Sequence, residues 1–322
     1  MRRSLTLLLT ALLLLVTAAC GGSGGSSSTS KTDVDMGEDI PGLTVTGTFG
    51  ADPVVKIDDA LAVKTPMTEV VSAGDGDPVK ANRKAMFNIF LANGSDGKKL
   101  YSDADRGTPT QVTMEESQFF KVIVSGLVGK PQGSRVAIAA TVKDVWGESG
   151  VPQLKLKTTD TVLFVIDVLS VEPTKVLDGP EGDQVDPPAI APAVESTDGK
   201  VTGLDFSSAP EEAPTKLQVI PLVQGDGPAA KAGRLVTFNY YGAVWGADKP
   251  FDTSFTKDAP VPFGVGVKGL IPAWDKVIPG LKRGSRVLII APPAQAYGDQ
   301  AQQSIPANST LVFVVDVLGV DA

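Results

Sequence analysis

One tyrosine in the sequence stands where a second, closely similar stretch has an apolar residue. FNYYG occupies residues 238–242 with Tyr240 at its centre, whereas FNIFL, 151 positions earlier, has Ile89 in the same place. The chain has no histidine, which excludes imidazole-based triads and most zinc sites. Its chemistry must therefore rest on carboxylates, tyrosines and apolar walls, or proceed without an activated nucleophile.

The tyrosine belongs to a unit that the chain carries twice. GDGDPVKANRKAMFN at residues 74–88 matches GDGPAAKAGRLVTFN at 225–239 without a gap, at an offset of 151. GSRVAI at 133–138 matches GSRVLI at 284–289 at the same offset, and TVLFVIDVL at 161–169 matches TLVFVVDVL at 310–318 at an offset of 149. A register kept over this distance predicts two domains of one fold.

Each copy contains apolar, β-branched runs bounded by Gly and Pro, which predict strands. In the second copy these runs cover residues 235–244, 285–290 and 311–318. Between them, Ile271, Trp274 and Ile278 are spaced i, i+3 and i+7, which places them on one face of a short helix. We therefore expect an α+β fold in which a twisted antiparallel sheet wraps over one short helix.

Composition narrows the class of partner. The formal net charge is -8 and no long basic run occurs, which argues against nucleic acid. The 34 glycines and 24 prolines favour turn-rich β structure over helical bundles.

The first twenty residues have the character of an export signal. Arg2 and Arg3 precede an apolar stretch that is too short to span a membrane and ends in TAAC, at the only cysteine of the chain. This pattern resembles a bacterial lipobox, which implies cleavage of residues 1–19, lipidation of Cys20 and anchoring at the extracytoplasmic face of the cell membrane. The alternative is a secretory signal cut after Ala19, with Cys20 incidental.

Composition also suggests the domain boundaries. Residues 20–39 are Gly/Ser-rich and then acidic, which is typical of a flexible tether. Residues 172–203 are rich in Pro, Gly and acids and are interpreted as a linker. The two domains then cover residues 40–171 and 204–322.

The second copy resembles the FKBP-type peptidyl-prolyl cis-trans isomerase family along about residues 213–322. The resemblance rests on motifs that occur in family order: GDG at 225–227, YYG at 240–242, FDTS at 251–254, LIPAW at 270–274, AYG at 296–298, IP at 305–306 and the final TLVFVVDVL. The repeat extends the resemblance to the first copy, which gives two FKBP-like domains.

The resemblance implies a pocket and assigns its residues. Catalytic positions fall on Tyr240, Asp252, Ile271 and Tyr297. Substrate-binding positions fall on Phe251, Phe263, Leu270, Trp274, Ile305 and Phe313. Two positions depart from the family: Val261 stands where an aromatic wall is frequent, and Lys257 stands where an arginine partners the aspartate.

The reaction that the resemblance implies needs no nucleophile. An X–Pro bond rotates slowly because resonance gives its C–N bond partial double-bond character, with a barrier of about 18–20 kcal/mol. An apolar pocket with Trp274 as its floor removes the water that stabilises the planar amide. By resemblance, the Tyr297 hydroxyl and the Ile271 N–H hold the flanking carbonyls, while Asp252 and Tyr240 polarise the pocket. We expect no cofactor and no metal.

The first copy lacks these groups. It has Ile89, Leu100, Tyr101, Ile123 and Trp146 at the positions of Tyr240, Phe251, Asp252, Trp274 and Tyr297. If these residues served only the core, the twin fold would need them equally, so we interpret the first domain as a degenerate unit.

The sequence thus predicts an anchored, extracytoplasmic isomerase that acts on proline-containing polypeptides, assists the folding of exported proteins and binds macrolides of the class that the family binds. One alternative is a non-catalytic chaperone or scaffold lipoprotein that binds extended or unfolded segments. A second alternative is a protein that binds a small molecule through the same pocket.

Overall fold

The computed structural model describes residues 37–257 and 259–321. The chain divides into two compact units, the first ending at Val171 and the second beginning at Glu172. In the part of the chain that is described, no helix is long and apolar enough to cross a membrane. The predicted signal peptide, residues 1–19, and Cys20 lie outside the described residues.

Within its described residues, 37–171, the first unit has eight strands and three short helices. Its strands are β1 (Leu43–Thr46), β2 (Val54–Ile57), β3 (Met67–Ser72), β4 (Lys84–Asn93), β5 (Lys99–Ser102), β6 (Thr110–Thr113), β7 (Arg135–Thr141) and β8 (Thr161–Val171). Its helices are α1 (Asp103–Arg106), α2 (Lys121–Leu127) and α3 (Val142–Trp146), with a 3-10 turn at Pro152–Leu154.

The second unit repeats this plan. Its strands are β9 (Asp183–Gln184), β10 (Ala193–Thr197), β11 (Lys200–Asp205), β12 (Gln218–Gln224), β13 (Arg234–Val244), β14 (Pro250–Thr253), β15 (Val261–Val265), β16 (Arg286–Ala291) and β17 (Leu311–Val320). Its described α-helix is α4 (Pro272–Val277), and a 3-10 turn covers Pro293–Gln295.

The main sheets of the two units have the same antiparallel topology. The order is β3-β7-β8-β4-β5 in the first unit. Taken in the same direction, the order in the second unit is β9-β12-β16-β17-β13-β14, in which β9 is an additional edge strand. In addition, β6 pairs with the long strand β4, and β15 pairs with the long strand β13. Tyr240 lies opposite Val315, as Ile89 lies opposite Ile166, so the two positions have the same register. The predicted α+β class and the repeat are confirmed.

Both faces of each main sheet are buried, which explains the nearly continuous apolar runs. Successive side chains of a strand point to opposite faces. In the second unit Tyr240 packs with α4 on one face, while its neighbour Tyr241 packs on the other face with Val201 and Leu204 of the β10–β11 hairpin. The β1–β2 hairpin covers the first sheet in the same way.

A buried ion pair fastens each hairpin to its sheet. Arg135 donates to both carboxylate oxygens of Asp167, at 2.6 and 2.7 Å, and to four carbonyls of the β1–β2 hairpin. Arg286 of the second GSRV motif pairs with Asp316 and donates to the Gly199 carbonyl in the β10–β11 turn at 2.9 Å. The arginine of GSRV thus belongs to the framework.

The interpretation of residues 172–203 as a linker needs correction. This segment forms β9 and β10, which pair with β12 and β11, and Ala191 is buried against the second sheet. A few apolar residues spaced among prolines and acids suffice, because the sheet supplies the rest of the contact. Similarly, the end of the predicted tether is paired, since Glu38 N–H donates to the Thr68 carbonyl at 3.0 Å.

Candidate active site

A cavity of about 490 Å³ opens on the helix-bearing face of the second sheet. This volume lies in the range typical of small-molecule and peptide pockets. Nine of the ten residues assigned from the sequence line it: Tyr240, Phe251, Asp252, Phe263, Leu270, Ile271, Trp274, Tyr297 and Phe313. The tenth, Ile305, is buried in the same apolar cluster but does not line the cavity.

Four contributors were missed by sequence reasoning. Gly269, Pro272 and Ala296 also line the cavity, but they carry no chemical signal of their own. Gly242 matters through its size: a Cβ there would meet the Phe251 ring at 2.8 Å and the Phe313 ring at 3.0 Å. The two wall rings can therefore lie against the sheet only because the third residue of YYG lacks a side chain.

Trp274 is held as a floor by three neighbouring rings. Its ring makes edge-to-face contacts with Phe238, Tyr240 and Phe313, at centroid distances of 5.0, 5.5 and 5.2 Å. The indole is 6% exposed, and its Nε1 has no hydrogen-bond partner in the described part of the chain. Such aromatic pairs contribute about 0.5–1.5 kcal/mol each beyond area burial, so the floor is rigid.

A carboxylate with two polar neighbours stands at the edge of the cavity. The Tyr240 hydroxyl donates to Asp252 Oδ2, and Lys257 Nζ lies 3.7 Å from Asp252 Oδ1 and 5.6 Å from the centroid of the Tyr240 ring. Burial, and then the hydrogen bond to Asp252, raise the pKa of Tyr240 above its ordinary value. Tyr240 therefore remains a proton donor near neutral pH and fixes the orientation of the carboxylate.

Two hydrogen-bond donors lining the cavity have no partner within the described residues. Ile271 precedes the first residue of α4, and its carbonyl accepts from the N–H groups of Trp274 and Asp275, while its own N–H is unused. Tyr297 follows the 3-10 turn after β16 and is 39% exposed, with an unengaged hydroxyl. An apolar ligand that carries carbonyl oxygens would find both donors available.

Aromatic rings occupy the equivalent place in the first unit. Phe120 and Trp146 replace Ile271 and Tyr297, and their rings meet edge-to-face at 5.9 Å. Trp146 also lies 6.3 Å from Phe164, the equivalent of Phe313. Leu91, fully buried, stands where Gly242 leaves room for the wall rings.

The polar side chains near Ile89, those of Tyr101 and Asp103, bind each other within the first unit. Tyr101, the counterpart of Asp252, donates to Asp103, whose buried carboxylate also accepts from the Ile89 and Thr110 N–H groups. Burial and then this hydrogen bond raise the pKa of Tyr101 to about 12. The Asp103 carboxylate therefore joins β4, β5 and the start of β6.

Comparisons with known proteins point in one direction. The family model described as FKBP-type peptidyl-prolyl cis-trans isomerase matches residues 71–169 and 227–318. The FK506-binding protein of Streptomyces anulatus is 35% identical over 111 residues, which are 34% of this chain and 90% of that protein. FkpA of Escherichia coli K12 is 38% identical over 96 residues, which are 30% of this chain and 34% of FkpA.

Two solved structures are also similar. The crystal structure of AtFKBP13 shares 31% identity, covers 34% of this chain and 95% of its own, and gives a TM-score of 0.31. The three FKBP domains of wheat FKBP73 share 16% identity, cover 80% of this chain and 94% of theirs, and give a TM-score of 0.33.

Proposed function

The chain belongs to the FKBP-type peptidyl-prolyl cis-trans isomerase family, and from that premise we propose that the pocket of its second unit carries the isomerase activity. The single observation that carries this assignment is the contrast between the units. The second unit keeps an open cavity with two unused donors, whereas rings fill the corresponding place in the first.

The pocket lowers the rotation barrier by changing the surroundings of the amide. Water stabilises the planar, charge-separated resonance form of an X–Pro bond, and the twisted form is less polar. Walls of Phe251, Phe263 and Phe313 over the Trp274 floor exclude that water from a bound proline ring. The cis and trans isomers differ in free energy by only about 0.5–1 kcal/mol, so catalysis requires only that the rotation barrier be lowered.

Directed polar groups then hold the twisted conformer. The Ile271 N–H and the Tyr297 hydroxyl bind the carbonyl oxygens on either side of the proline. The carboxylate of Asp252, oriented by Tyr240, supplies a fixed negative charge at the edge of the cavity. Because these groups are in place before the substrate arrives, they need no reorganisation in the transition state.

The substrates follow from the shape of the site. A proline-containing polypeptide brings both an apolar ring and flanking carbonyls, which match the cavity and its two donors. A macrolide of the FK506 type is a second ligand class, since the Streptomyces anulatus relative is named for binding FK506. The first unit, in which aromatic rings occupy the position equivalent to the cavity, acts as a non-catalytic companion domain.

The location is proposed from the first twenty residues alone. Lipidation at Cys20 would place the enzyme at the extracytoplasmic face of the cell membrane, where exported chains fold. Substitution Cys20→Ser should release the protein from the membrane fraction without lowering its isomerase activity. Membrane association that persists in this variant would contradict the lipid anchor.

The test of the catalytic assignment uses the full chain and a proline-peptide isomerisation assay. Asp252→Leu and Tyr297→Phe should each lower kcat/KM, with loss of one hydrogen bond worth roughly tenfold. Trp146→Phe, at the position equivalent to Tyr297, is the matched control and should leave the rate unchanged. If the wild-type chain only suppresses aggregation of an unfolded client and catalyses no isomerisation, the chaperone alternative is supported instead.

A further inference from the structure

The loop that leads into the pocket has an unfavourable backbone conformation. It runs from Gly266 to Leu270, between β15 and α4, and brings Gly269 and Leu270 to the cavity wall and Ile271 to its donor position. Gly266 has φ +68° and Lys268 has φ +60°, both in the left-handed region. For a residue with a Cβ such as Lys268, this costs roughly 1–2 kcal/mol, so other contacts must hold the loop.

One side chain supplies those contacts. Asp275 Oδ1 accepts from the N–H groups of Gly266 and Val267 at 2.7 and 3.3 Å, and its Oδ2 accepts from the Leu270 N–H at 3.3 Å. Asp275 lies in the first turn of α4, one residue after the floor residue Trp274. A single carboxylate therefore ties three amides of the loop to the helix that carries the floor.

The first unit does without this arrangement. Val124, a buried apolar residue, stands at the position of Asp275. The corresponding loop is held by its own Glu115, which accepts side-chain hydrogen bonds from Ser117 and Gln118. None of residues 115–120 has a positive φ. The carboxylate and the left-handed loop thus occur together, in the unit with the open pocket.

We propose that Asp275 is a positioning residue for prolyl isomerisation, which fixes the 266–270 loop so that Leu270 forms the wall and the Ile271 N–H is presented to the substrate. This inference rests on the proposed function of the second unit. Asp275 itself makes no contact with the substrate and acts through the loop.

The test compares Asp275→Ala, Asp275→Asn and Asp275→Glu in the full chain. Displacement of a positioned group by about 1 Å can cost 10²-fold, so Asp275→Ala should lower kcat/KM by about 10- to 100-fold. Asp275→Asn, with one acceptor oxygen, should fall between, and Asp275→Glu should restore most of the activity. Asp248→Asn, an exposed acid on the turn after β13, is the control and should match wild type.

Amide hydrogen exchange separates positioning from general destabilisation. In Asp275→Ala the amides of Gly266, Val267 and Leu270 should exchange faster, while those of β13 keep their protection. Faster loop exchange with unchanged kcat/KM would overturn the proposal, and so would equal loss of protection throughout the second unit. If the activity depends on Asp252 but not on Asp275, only the role of Asp275 is contradicted. If the activity does not depend on Asp252, the proposed function of the second unit is contradicted.

Discussion

The hydrogen bond between Tyr240 and Asp252 can be measured by a double-mutant cycle of Tyr240→Phe and Asp252→Asn. Tyr240 is 8% exposed, but the Asp252 side chain is 50% exposed. A hydrogen bond to a charged group contributes about 1.5–3 kcal/mol, and partial solvation of the carboxylate places this one near the lower limit, at about 1.5 kcal/mol. The two residues then act as a unit.

Each single substitution should therefore lower kcat/KM in a proline-peptide assay by about tenfold, and the double variant should lose about tenfold rather than a hundredfold. The control pairs Asp252→Asn with Tyr101→Phe, which lies in the other unit and should be additive within about 0.5 kcal/mol. A coupling of Tyr240 with Asp252 no larger than that of the control pair would refute the assigned role of Tyr240.

Three further predictions concern packing and charge. Arg135→Met should lower the unfolding free energy of the first unit, measured in urea, by about 3–5 kcal/mol, because the Asp167 carboxylate is left buried and unpaired. Adding Asp167→Leu should recover most of this loss. No recovery in the double variant would contradict this reasoning. Gly242→Ala should push the Phe251 and Phe313 rings into the cavity and weaken macrolide binding with the fold intact; unchanged affinity would show that the rings have room. Since the pKa of Tyr101 is raised from 10.0 to about 12, the folded state holds this proton more tightly than the unfolded state. The resulting stability is present below pH 10 and is lost as the pH rises through about 12. The free energy of unfolding falls over this range by at most about 1.4 kcal/mol per pH unit. Urea unfolding should show that Tyr101→Phe removes this part of the alkaline loss, and an unchanged pH dependence would speak against it.

Much of the fold could be predicted from the sequence because the chain contains its own comparison. The repeat fixed the number of domains, and the apolar runs located the long strands to within a residue or two at most ends. The two hairpins were missed because β1, β2, β10 and β11 are short and lie among glycines, prolines and acids. Their positions on the sheets depend on tertiary contacts, such as those of Arg135 with the β1–β2 loop, which no local pattern reveals.

The site divides in the same way. Residues with a distinctive side chain, such as Tyr240, Asp252 and Trp274, could be assigned by resemblance and line one cavity. Gly242 matters because it has no side chain and so leaves room for the wall rings. Asp275 acts through three backbone amides of a loop that begins nine residues before it. Neither role follows from residue type and spacing, because both depend on distances between atoms in the folded chain.

The most direct test of the central claim uses the three tryptophans as reporters. With the full chain labelled at the indole nitrogens, a proline-containing peptide is added while its cis and trans forms are followed by NMR exchange. Isomerisation should accelerate and the Trp274 signal should shift, while the signals of Trp146 and Trp245 stay in place. Acceleration with a shift of Trp146 alone, or with no shift of Trp274, would place catalysis outside the pocket of the second unit and contradict the account.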